Sequence, residues 1–104
     1  MLAGPSGLRR VGPRAMLDQI VTAETARELH GEALRTRGMA VWIVMEDQPA
    51  YPGKLIARLA TMDPTPYVMV ADTLDEMRAA LPPGMYRSDR TPADPAGLVE
   101  LWSS

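Results

Sequence analysis

The residues with most to offer another molecule lie together in the stretch Tyr86-Arg87-Ser88-Asp89-Arg90. Tyrosine and arginine are the types in which binding energy concentrates, because each couples a large contact area to a polar tip. Tyr86, Arg87 and Arg90 are therefore the candidate interaction residues. The same stretch also reads as a twisted edge strand whose charges discourage pairing between sheets.

Carboxylates cluster twice. Glu46-Asp47 ends an apolar run and enters a loop; Asp72, Asp75 and Glu76 surround the start of a short helix. Oxygen-rich groups of this kind suit a hard cation such as Mg²⁺, so Glu46, Asp47 and Asp72 form a candidate metal or small-ligand set. Convergence of the three in one concave pocket would favour that reading. Scatter over a convex surface would count against it. Solvated acids at the ends of elements explain the same residues, and the second cluster has its own explanation at a helix N-terminus, where negative charge is favourable.

Other chemistries fail on residue type or spacing. The chain has no cysteine, which removes disulfides, thiolate nucleophiles and cysteine-based zinc sites. His30 is the single histidine, so a multi-histidine site within one chain is excluded; neither Glu28 nor Glu32 shares its helix face, and it reads as a surface helix residue. The four serines, at 6, 88, 103 and 104, lie in no Gly-x-Ser-x-Gly elbow. Gly4-Pro5-Ser6-Gly7 lacks the Gly-Lys-Ser/Thr ending and preceding strand of a phosphate loop. No catalytic residue, cofactor or metal is expected, and the chain reads as a non-enzyme.

Composition narrows the partners. At 104 residues, with 46% hydrophobic and 23% charged, the chain fits one globular domain. The longest apolar run, Met39 to Met45, is far short of the roughly 20 residues of a membrane span. The formal net charge of −2 argues against nucleic acid, whose nonspecific binding needs many phosphate contacts. A cytoplasmic protein is expected.

These groups need elements to hold them. Residues 1–15, rich in Gly, Pro and Arg without periodicity, read as a disordered arm. Its Arg9, Arg10 and Arg14 suit contact with nucleic acid or an acidic protein. Residues 16–38 form a helical extension: Thr22 can cap a helix within 18–37, Gly38 can end it, and Ala26, Leu29, Ala33 and Leu34 make a narrow apolar stripe. Residues 39–104 then form one domain. Residues 40–46, AVWIVME, are β-branched, aromatic and apolar on both faces, so they predict a central strand with Trp42 and Val44 deeply buried. Strands follow at 54–61 and 67–71, a helix at 73–81 capped by Asp72, a short strand at 85–90 and a last strand at 98–102. The loops between the first three strands are short enough for hairpins. The expectation is an α+β fold, a small antiparallel sheet in helix-β-β-β-helix-β order with helices on one face, in two layers.

From Met39 onward, the stretches MAVWIVMEDQPAYPGKLIARL and PTPYVMVADTLDEMRAALPPGMYRSDRTPADPAGLVELW resemble a group of short proteins of proteobacteria and their phages. The shared features are a V-W strand, Y-P-G-K before a strand, V-A-D-T-L opening a helix, L-P-P-G closing it and a final V-E-x-W. The resemblance transfers no catalytic residue. It implies that members can begin at the position of Met39, and it brings in a phage setting, in which small acidic cysteine-free proteins are often inhibitors acting by binding, anti-CRISPR proteins among them.

The leading expectation is thus a small non-enzymatic binding protein acting through protein–protein contacts. The alternative is a metal-dependent accessory enzyme or small-ligand-binding protein using Glu46, Asp47 and Asp72. A core this small buries only about 60% of its unfolded surface, so a homodimer is expected, through the face or edge of the sheet that helix 73–81 leaves uncovered.

Overall fold

The computed structural model describes residues 17–104, and the arm at 1–15 lies outside them. Its elements are β1 (Gln19–Ile20), α1 (Ala23–Arg37), β2 (Val41–Met45), β3 (Leu55–Ala60), β4 (Pro64–Ala71), α2 (Leu74–Ala80), β5 (Tyr86–Asp89) and β6 (Leu98–Ser103). The class is α+β, as expected. The sheet has six strands in the order β1-β4-β3-β2-β6-β5. It is mixed rather than antiparallel: β1 runs parallel to β4, setting Gln19 beside Tyr67 and Ile20 beside Val68, while the other pairings are antiparallel.

The extra strand has a local cause. Thr22 is the N-cap of α1, with extended backbone angles and a side-chain oxygen that accepts from the Thr25 amide. A cap of this geometry leaves the preceding chain extended. Val21 then donates its amide to the Val68 carbonyl at 2.9 Å, carrying the chain along the open edge of β4. So α1 begins at Ala23, later than position 18. It ends where the sequence indicated, at Gly38, whose φ of 77° is readily available only without a Cβ.

β2 lies inside the sheet between β3 and β6, as its two apolar faces require. Trp42 and Val44 are fully buried with Ala57, Leu59, Met69 and Met77 in the core between sheet and helices. Register puts Trp42 opposite Leu59 on one side and Trp102 on the other, and Val44 opposite Ala57 and Glu100. Because side chains alternate, these residues share the helix-covered face. Val41, Ile43 and Met45 take the opposite face and remain half-buried. α1 turns Ala26, His30 and Ala33 to the core, with Leu29 packed beside them; Leu34, at the stripe's border, is exposed.

α2 is capped by Thr73 rather than Asp72. The Thr73 hydroxyl accepts from the Glu76 amide, and the Glu76 carboxylate accepts from the Thr73 and Asp72 amides, a reciprocal capping box. Asp72 is left outside and pairs with Lys54.

Candidate functional site

β5 closes one end of the sheet. Its four residues are all exposed, and Tyr86 presents 78% of its surface. Among the described residues β5 pairs with β6 alone, in the register Tyr86–Ser103, Arg87–Trp102, Ser88–Leu101 and Asp89–Glu100. Alternation therefore divides the candidate interaction residues. Arg87 and Asp89 share the face of Trp102 and Glu100, the face that bears the helices further along the sheet; Tyr86 and Ser88 take the helix-free face with Leu101. Arg90 follows the end of the strand. Tyr86 and Arg87 come to one edge but not to one flat patch.

A buried ionic cluster holds this end in place. Glu100 is almost wholly buried, an unusual position for a carboxylate, and all its bonds are charge-assisted or polar. Arg78 reaches down from α2 and donates twice to it, at 2.7 and 3.1 Å, and the Trp102 indole donates at 2.7 Å. The Arg78 guanidinium, aided by the Trp102 N–H, outweighs burial and holds the Glu100 carboxyl below the usual range; the same bond pushes Arg78 up. Asp89 stands directly across from Glu100, a like-charge pairing that alone destabilises a sheet. Arg87 offsets it by binding Asp89 at 3.1 Å.

The three carboxylates of the alternative reading border the same cleft without closing on one point. Glu46, Asp47 and Asp72 line one open cleft of about 320 Å³, with Gly53, Lys54 and Leu55. Asp47 adopts a left-handed backbone with φ of 58°, a conformation aspartate tolerates better than most residues. Lys54 sits among them and donates to Asp72, which pushes the ammonium's pKa up. The cleft is thus a mixed-charge site with an internal cation. Among the described residues, no three His, Asp or Glu side chains are placed to hold one metal ion.

His30 is buried, not on the surface. It lies four residues after Ala26 and three before Ala33, on the same inward stripe. Its Nδ1 accepts from the Trp42 indole at 3.2 Å, so its own proton sits on Nε2, within 2.9 Å of the Ser104 hydroxyl. Burial lowers its pKa and keeps it neutral. The ring links the central strand to the end of β6, where the Ser104 amide also donates to the Ala40 carbonyl.

A second polar bridge escaped the sequence reading. Asp18 accepts from Arg58 and from the Tyr51 hydroxyl, each at 2.7 Å, across the helix-free side of β3. The Arg58 bond, then the Tyr51 bond, hold the Asp18 carboxyl low, and Asp18 in turn raises the Tyr51 phenol. The bridge ties the loop between β2 and β3 to the chain just before β1. On the opposite side, a groove between α1 and the β3–β4 turn is spanned by Arg37 and Asp63 at 3.4 Å.

Among the described residues, no helix is long and apolar enough to cross a membrane. The fold and its end-strand define a two-layer α+β protein that presents an open sheet edge. No protein-family model, curated protein or solved structure matches the chain.

Proposed function

We propose that this chain is a small, non-enzymatic binding protein whose contact surface is the β5 end of the sheet. The observation that carries this reading is the exposed Tyr86, with Arg90 just past the strand and Arg87 on its other face, on a strand whose neighbour β6 is tied to α2 by the Arg78–Glu100–Trp102 cluster. Pairing with β6 fixes the backbone of β5 before association, and that preorganisation favours affinity. The half-buried Val41, Ile43 and Leu101 extend the surface with apolar area on the helix-free face. An inhibitor acting by occupancy, of the anti-CRISPR kind included, is the form of this function that the resemblance to short phage-associated proteins favours. Its setting is then the cytoplasm.

Affinity capture from a lysate of the source organism tests the reading. Wild-type protein retains its partner, and Tyr86→Ala weakens retention by about tenfold or more, as truncation of an aromatic anchor does. Equal retention by both proteins would move the contact away from β5 and refute the proposal.

A second reading rests on the placement of Glu46, Asp47 and Asp72 around one cleft. There the chain is a metal-dependent accessory enzyme or a small-ligand-binding protein. Lys54, already seated on Asp72, weighs against a divalent metal and suits a ligand carrying both charges. Calorimetric titration with Mg²⁺ decides the metal version: heat lost on Asp47→Asn supports it, and no heat from wild type ends it.

A further inference from the structure

The exposed edge of β5 is complementary to itself. We propose that it pairs antiparallel with β5 of a second copy of this chain, in the register that sets Ser88 opposite Ser88. The proposal rests on the reading of β5 as a contact surface and names one partner for it.

β5 is the last strand of the sheet, and among the described residues its outer edge meets no other strand. A free edge offers a row of backbone N–H and C=O groups to any strand that can match it. The sequence across this edge is Tyr-Arg-Ser-Asp-Arg, with charges of opposite sign on either side of Ser88. A two-fold axis at Ser88 therefore sets Arg87 of each copy opposite Asp89 of the other. Both residues already stand on the same face, across from Trp102 and Glu100, so the continued sheet needs no change of facing. The Arg87–Asp89 contact within each copy, at 3.1 Å, becomes part of a four-membered ring of alternating charge. On the other face, Tyr86 of one copy meets Arg90 of the second, a cation–π pairing.

Charge also excludes the competing registers. Facing is preserved only if paired residues share a face, so the neighbouring registers are centred on Arg87 or on Asp89. The first sets Arg87 against Arg87, the second Asp89 against Asp89. Like charges directly opposite are destabilising. The charges that turn foreign strands away thus admit one register with the chain's own copy. Helix contacts with the sheet lie mainly on β3 and β4, which leaves space at the β5 end for a second sheet to continue.

Sedimentation equilibrium at low salt, from about 10 to 500 μM, covers the range in which a short edge contact dimerises. Wild type sediments as a dimer at the upper end, and the association weakens as salt is raised. Arg87→Asp and Asp89→Arg each set like charges opposite twice, and each weakens dimerisation by about tenfold or more. The double exchange, Arg87→Asp with Asp89→Arg, restores opposite pairing and returns the affinity to within about threefold of wild type. It also shows that both changes are compatible with folding, which circular dichroism checks directly. A wild type that stays monomeric throughout, single reversals that dimerise unchanged, or a double exchange that fails to restore overturns the pairing. Capture with Tyr86→Ala decides the wider contact surface separately, since a monomer can still lose its other partner through that substitution.

Discussion

Arg78→Ala is the sharpest single perturbation of this fold, because it removes the cation from a carboxylate that cannot reach water. The Glu100 side chain is 3% exposed and the Arg78 side chain 36%. Breaking a buried ion pair by deleting one partner costs about 3–5 kcal/mol, since the remaining charge stays buried without compensation. Two features reduce that figure here. The guanidinium is partly solvated, so its attraction is screened. The Trp102 indole still donates to Glu100 after the arginine is gone. The expected loss at pH 7 is therefore about 2–3 kcal/mol, or some 10–20 °C in the melting midpoint of a domain this size.

The pH dependence identifies the cause. In the wild type the Glu100 pKa is held below its usual 4.5, so the unfolded state binds more protons in that window and stability falls on acidification. In Arg78→Ala, burial dominates and raises the pKa above 4.5; the folded state then takes up the proton first, and acidification relieves the penalty. The gap between the two proteins narrows as pH falls from 7 to about 4, as protonation discharges the orphaned carboxylate. Urea unfolding at the two pH values measures this. A loss below about 1 kcal/mol at pH 7, or a gap that does not shrink in acid, would refute the account.

Two further outcomes follow from other parts of the core. His30 is neutral with its pKa lowered by burial, so the unfolded chain alone takes up its proton just below 6.5 and stability declines as pH falls through that region; His30→Gln flattens this part of the pH profile while leaving the loss below 4.5, due to Glu100 and Asp18, in place. Gly97→Ala should destabilise by about 1–2 kcal/mol in the same urea assay, because φ is 94° there and the added Cβ would lie 3.1 Å from the Glu46 carbonyl; a neutral effect would show that this loop yields easily.

What the sequence disclosed was what short-range pattern can carry. AVWIVME announces a strand apolar on both faces, and its burial between β3 and β6 follows. Thr22 and Gly38 bound α1 because caps act within one turn. β1 was hidden because Gln19-Ile20 has no pattern of its own, and becomes a strand only because β4 leaves an edge free. His30 was misplaced on the surface because a polar residue on a narrow alanine stripe hides the stripe's direction. The cap of α2 was read one residue early, since Asp72 and Thr73 both suit the position and the reach of Glu76 decides between them. Residue type alone singles out Tyr86 and Arg87 as candidates and says nothing of the ionic cluster beside them: Arg78 and Glu100 lie far apart in sequence, and no spacing rule joins them. Asp18, Tyr51 and Arg58 were missed for the same reason.

The parallel seam between β1 and β4 has a consequence for the route by which the chain reaches this structure. β3 and β4 join through a tight turn, and α2 and β4 are neighbours in sequence, so those contacts close small loops. β1 reaches its place beside Tyr67 and Val68 across a long stretch of chain, and that closure comes at a greater entropic cost than a hairpin's, with two residue pairs in return. A seam of two residue pairs is therefore expected to open more readily than the longer β2–β6 pairing, although that pairing closes still more chain. In a hydrogen-exchange experiment the Val21 amide, bonded to the Val68 carbonyl, should exchange ahead of the amides of β2. One edge of the sheet thus hangs on two residue pairs, and the opposite edge, which carries Tyr86, on four.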